Sequence, residues 1–179
     1  TTGDLRLLDW RPKSQLVVKE TLIQKPRFPV IDIHNHLGNL VNTEKYLEEM
    51  DKAGVRMCVS LDGRSENDFY KEHLSASRKV SGDRFLVFFR PDFKQINAPD
   101  FGVQEAEKLE EAVKLGIRGL KISKELGLTV KDNTGKVVPV DDARLDPIWA
   151  KCGALGLPVV IHVSDPVAFH TPIDRYNER

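Results

Sequence analysis

Val30-Ile31-Asp32-Ile33-His34-Asn35-His36-Leu37-Gly38 is the stretch on which the fold turns. It is a short apolar, β-branched run that ends in two histidines one residue apart and then meets a glycine. Side chains of a strand alternate between its faces, so residues two apart share a face. His34 and His36 are therefore expected to project together from the C-terminal end of a first strand. The same alternation puts Asp32 below them and turns Asn35 away. Two neutral imidazoles side by side are a ready pair of nitrogen ligands for a divalent transition metal.

Similar runs recur at residues 55–61, 85–89, 117–122 and 159–163. They are near-continuous and apolar, as expected of strands buried on both faces of a parallel sheet. Helix-patterned stretches lie between them. Thr43 is placed to cap residues 44–52, which Gly54 closes, and residues 67–80 end at Gly82. Residues 103–115 carry Ala106, Leu109, Ala112 and Val113 on one face and stop at Gly116. Residues 142–155 carry Leu145, Ile148, Trp149 and Cys152 and stop at Gly156. Residues 124–140, with Gly127, Asp132-Asn133, Gly135 and Pro139, read as a long loop or small hairpin. Residues 1–27 read as an extended N-terminal arm, and residues 28–179 as the body.

Two architectures suit five parallel strands. One is a five-stranded doubly wound sheet. The other is the opening portion of a (β/α)8 barrel, which usually takes about 250 residues. Chemistry separates them. The fifth run, Val159-Val160-Ile161-His162, again ends in a histidine. In a barrel the C-terminal ends of strands one and five face each other across the mouth, so three histidines could converge on one ion. A doubly wound nucleotide binder would instead want a Gly-rich phosphate loop after strand one, and His-Asn-His-Leu-Gly is not one. The expected fold is α/β, an incomplete TIM-like barrel of about five strands with an N-terminal arm.

On these residues the chain resembles the amidohydrolase superfamily, in particular the amidohydrolase-2 group related to aminocarboxymuconate-semialdehyde decarboxylase. The motifs that carry the resemblance are Ile31 to Gly38, Gly116-Ile117-Arg118-Gly119-Leu120-Lys121-Ile122 and Leu157-Pro158-Val159-Val160-Ile161-His162. The resemblance implies a metal-dependent barrel in which His34, His36 and His162 are ligands of a divalent ion, zinc being expected. It also implies a histidine from strand six and an acid–base aspartate from strand eight. Both are expected beyond Arg179, so the chain reads as truncated.

Other residues stand near the expected strand ends. Lys121, in strand four, is a candidate to bind a substrate anion, to make a structural ion pair or to stay solvated, and the resemblance adds a bridging carbamate, which some members of the superfamily carry at this strand. Arg90, after strand three, is a candidate clamp for a substrate carboxylate, or a partner of Asp92 or a neighbouring loop. Asp165 reads as a turn residue or as an orienting group for His162. His73 and His170 read as surface or loop residues.

Composition excludes other classes. The chain has 179 residues, with 27 Lys and Arg against 27 Asp and Glu. That balance gives no reason to expect nucleic acid or an anionic membrane as partner. No apolar run approaches the roughly 18 residues that span a bilayer. Cys58 and Cys152 read as buried thiols, not as a disulfide or a metal motif. The sequence begins at Thr1 without Met, so both a cytoplasmic and an exported location stay open. Three functions compete: metal-dependent hydrolysis of a C–O or C–N bond in a small molecule, non-oxidative decarboxylation of a small unsaturated acid, and an inactive fragment or binding module. Open sheet edges after strands one and five would allow a homodimer.

Overall fold

The computed structural model describes residues 6–12, 19, 22, 26–38 and 43–177. Among these, strands β1 (Val30–Asn35), β2 (Val55–Arg64), β3 (Phe85–Arg90), β4 (Leu120–Ile122) and β5 (Val159–Ile161) alternate with helices. The helices are α1 (Thr43–Ala53), α2 (Phe69–Val80), α3 (Phe101–Leu115) and α4 (Asp146–Leu155). Every neighbouring strand pair is parallel, and the order in the sheet is β1-β2-β3-β4-β5. A doubly wound sheet reverses its strand order at a switch point. This one does not, and its five strands form a curled half-barrel, an incomplete TIM-like fold.

The chain divides into two compact units. One, Lys25–Val163, holds all five strands. The other joins Thr1–Gln24 to Ser164–Arg179. Within it the Trp10 indole N–H donates to the Asn177 carbonyl at 2.8 Å, and the Arg11 amide donates to the Arg175 carbonyl at 2.7 Å.

Strand alternation sorts the core of the larger unit into two layers. Val87, Phe89, Leu120 and Ile122 share one cluster with Tyr70 and Leu74 of α2, Leu109 and Ala112 of α3, and Ile148 and Cys152 of α4. On the other parity, Val59, Leu61 and Phe88 pack with Leu86 and Val160. Gly119 is required here, since a Cβ at that position would stand 2.4 Å from the Phe88 ring. Trp149 is partly buried against the larger cluster, as its helical spacing predicts. Cys58 and Cys152 are buried free thiols, and burial pushes the Cys152 thiol up to about 11.

Several expectations need correction. The strands are not all buried on both faces. In β1, Ile31 and Ile33 are exposed, as are Val159 and Ile161 in β5, because these strands pair along one edge only. Helix α2 starts at Phe69, two residues later than the pattern suggests. Asn67 and Asp68 adopt φ of 52° and 55°, a left-handed geometry that cannot continue into a helix. Helix α4 starts at Asp146, after a 3-10 turn at Ala143–Leu145, with Pro147 in its first turn where a missing N–H costs nothing. Helices α3 and α4 do stop at Gly116 and Gly156. The Thr43 side chain lies outside the described residues. Regular β4 covers only Leu120–Ile122, yet the Arg118 amide already donates to the Val87 carbonyl at 3.0 Å. The 124–140 segment contains a small hairpin closed by an antiparallel bridge between Lys131 and Val137.

His73 is the largest departure. It is neither a surface nor a loop residue but lies buried in α2, with Nε2 2.7 Å from the Ser60 hydroxyl. Burial holds its imidazole below the ordinary value, the Arg64 charge adding to this and Asp62 opposing it. Among the described residues no helix is long and apolar enough to cross a membrane.

Two stability measurements check this packing. Leu109 is fully buried and Val103 is exposed on the same helix. Leu109→Ala is expected to cost about 2–5 kcal/mol in urea unfolding, and Val103→Ala under about 0.5 kcal/mol. A histidine kept neutral by folding binds fewer protons folded than unfolded. Stability is therefore expected to fall as pH drops below about 6.5, and His73→Gln to flatten that slope between about pH 6.5 and 5.

Candidate functional site

The histidines of β1 are aimed by an irregularity in its pairing. Asp32 pairs with Cys58 and Asn35 with Ser60, so three steps along β1 match two along β2. The extra residue brings Asp32 and Asn35 to one side, where alternation alone would separate them. Asn35 donates to Asp32 at 3.0 Å and also to the Tyr46 hydroxyl of α1. The Cys58 thiol stands 3.6 Å from the same carboxylate. Asp32 therefore does not lie below the histidine pair but turns to Asn35 and Cys58. Its other oxygen accepts the His34 amide at 3.0 Å, so it still braces the backbone that carries the pair. Burial opposes ionisation of Asp32, but the bonds from Asn35, His34 and Cys58 prevail and hold its carboxyl below the usual value.

The three sequence-predicted imidazoles come together. The His34 and His36 ring centres are 5.5 Å apart, edge to face. The His34 and His162 ring centres are 6.4 Å apart. His162 follows β5 directly, and its amide donates to the Ile122 carbonyl at 3.0 Å, which extends the strand pairing by one residue. Partial desolvation lowers the His34 pKa, and the charges of Lys121, His36 and His162 lower it further. A neutral imidazole is the form that can donate a lone pair to a metal.

One partner escaped sequence reasoning. His36 Nδ1 lies 2.8 Å from Asp62 Oδ1, and the Gly38 amide donates to Asp62 Oδ2 at 2.8 Å. Burial alone would raise the Asp62 pKa, but these bonds outweigh it and hold the group ionised. An ionised carboxylate only accepts, so Nδ1 carries the proton and Nε2 is left with its lone pair. The available signal was a carboxylate at the close of an apolar run, Leu61-Asp62-Gly63.

One cation, Lys121, stands within electrostatic reach of His34, and Arg90 stands next to Lys121. Lys121 is buried, and its ammonium has no hydrogen-bond partner among the described residues. Desolvation lowers its pKa, and the Arg90 charge adds to that. Arg90 ends β3 next to Lys121, since Phe89 pairs with Leu120. Its guanidinium reaches Glu125 of the neighbouring loop at a long 3.4 Å. It does not pair with Asp92, whose carboxylate caps a turn through the Lys94 amide. Asp165 belongs to the other compact unit.

The donor set suits a divalent transition ion, and the spacing is open. Four-coordinate zinc takes imidazole nitrogens at about 2.0–2.1 Å, which puts ring centres roughly 5 Å apart. The observed 5.5 and 6.4 Å are wider. Among the described residues, no three His, Cys, Asp or Glu side chains are already drawn close enough to hold a metal. His34 and His36 are exposed at the end of β1 and so have room to turn, while His162 is half-buried.

No curated protein matches the chain. Residues 31–177 match the amidohydrolase family Amidohydro_2, whose members generally bind divalent metal ions. That match spans most of the sequence, both histidine-bearing strands included, and the chain belongs to the amidohydrolase family.

Proposed function

We propose that the chain carries the metal-holding part of a hydrolase that cleaves a C–O or C–N bond in a small molecule. The observation that supports this most directly is the meeting of His34, His36 and His162 at the ends of β1 and β5. These residues would hold a divalent ion, with zinc the preferred candidate for an imidazole donor set. When bound, such an ion would lower the pKa of water towards about 7 and polarise a substrate carbonyl.

The protein's own groups prepare that site. In the neutral ring Asp62 holds the proton on His36 Nδ1, which leaves Nε2 as the nitrogen that could bind an ion. Asp32 braces the His34 backbone. Lys121 sets positive charge near His34, with Arg90 next to it, and a substrate anion there would offset the cost of burying the ammonium. No acid–base carboxylate is assigned within this sequence. Among the described residues β1 and β5 are unpaired along their outer edges, and we read the five strands as the opening portion of a longer barrel.

Metal content is the first test. The chain exposed to zinc and desalted is expected to retain about one ion, and the double variant His34→Ala, His36→Ala to retain none while keeping its circular dichroism. Equal metal in both would refute the assignment. Where the loaded protein turns over a small acid, carbon dioxide release without hydrolysis would favour decarboxylation. The role of Asp62 is checked separately. Nitrogen-15 spectra of His36 are expected to show the Nδ1–H tautomer, and Asp62→Ala to erase that preference. Asp62→Asn should weaken zinc binding roughly 10–100-fold.

A further inference from the structure

A cavity of about 480 Å³ opens where β2, β3 and β4 end, in the unit that holds the strands. Arg64 and Arg90 both line it. They are register partners on adjacent parallel strands, so their backbones are about 4.8 Å apart. Arg64 makes no hydrogen bond and no ion pair among the described residues. Its guanidinium lies over the Phe69 ring, 4.3 Å from the centroid, which holds its plane. Three carboxylates, Glu66, Asp92 and Glu125, line the same cavity, and none hydrogen-bonds Arg64. Glu66 is bonded to Lys94 at 2.7 Å, Asp92 caps its turn, and Glu125 gives Arg90 only the long contact. Next to Arg90 on the adjacent strand is the buried ammonium of Lys121, which has no hydrogen-bond partner among the described residues. Arg64 has no bonded counter-ion among the described residues and Arg90 only a long one, so the two adjacent cations repel one another, and a bound anion would relieve that.

The shape of the donors and the wall specify the anion. Flat guanidinium forks match a carboxylate, which each can engage through two N–H groups. Pro91, Phe93, Ile96 and Val130 give the same cavity apolar surface, which suits a hydrocarbon body better than a bare inorganic ion. We propose that this cavity is a carboxylate subsite, in which Arg64 and Arg90 hold the acid group of a small organic acid whose apolar part lies against Phe93 and Ile96. Lys121 is within electrostatic reach of both Arg90 and His34. The subsite thereby names the substrate class of the proposed hydrolase, an acid anchored away from the bond to be cleaved, and in that respect it rests on the metal reading.

The test uses metal-free chain, so carboxylate binding is measured apart from zinc. Calorimetric titration compares 3-phenylpropanoate with its amide, which has the same shape and no charge. The acid is expected to bind at least about tenfold more tightly than the amide. Arg64→Gln and Arg90→Gln should each weaken the acid about tenfold or more, leaving the amide unchanged. Arg64 is exposed, so its replacement leaves the core intact. Equal affinity for acid and amide, binding of neither, tighter binding of inorganic phosphate, or indifference to both substitutions would each overturn the proposal. Retained zinc with no preference for the acid would sink the subsite alone. A preference for the acid in a chain that retains no zinc would sink the metal reading alone.

Discussion

Everything at this site depends on one constraint: five strands pair in parallel and in chain order. Parallel pairing puts every C-terminal strand end on one rim, and sequential order keeps neighbours in sequence neighbours in space. His36 and Asp62 meet across β1 and β2, Arg64 and Arg90 across β2 and β3, and Arg90 and Lys121 across β3 and β4. Curling of the sheet then returns His162, beyond β5, to within ring contact of His34. The strand interiors supply the packing, through residues such as Phe88, Phe89 and Leu120. His36, Arg64, Arg90 and His162 stand at or just beyond the last strand positions, while Asp62 and the buried Lys121 lie within their strands.

Within that frame the irregularity of β1 is the finer control. A regular strand would place Asp32 under His34 and His36. The extra residue instead turns Asp32 into a network with Asn35, Tyr46 and Cys58, which ties the strand to α1. The imidazoles are left on the open side, where Asp62 holds one of them by its Nδ1. Two carboxylates thus serve the pair, one through the backbone of His34 and one through the ring of His36.

Much of this was legible in the sequence because it is local. Apolar runs marked the strands, Gly116 and Gly156 marked the ends of α3 and α4, and the His34–His36 spacing marked a shared face. What was not legible depends on register between distant segments. Asp62 lies 26 positions from His36, and nothing in either segment shows that they touch. The fit of Arg64 beside Arg90 depends equally on strand pairing. His73 misled because it is polar, yet α2 turns it inward with Tyr70, Leu74 and Ser77, and the Ser60 hydroxyl meets it there. The exposed apolar residues of β1 and β5 follow from their places at the two ends of the sheet order, which a run of β-branched residues does not reveal.

X-ray absorption at the zinc edge, on the loaded chain, tests the central claim most directly. The account predicts at least three imidazole nitrogens on the ion at about 2.0–2.1 Å. A sulfur neighbour near 2.3 Å, or fewer than two imidazoles, would contradict it.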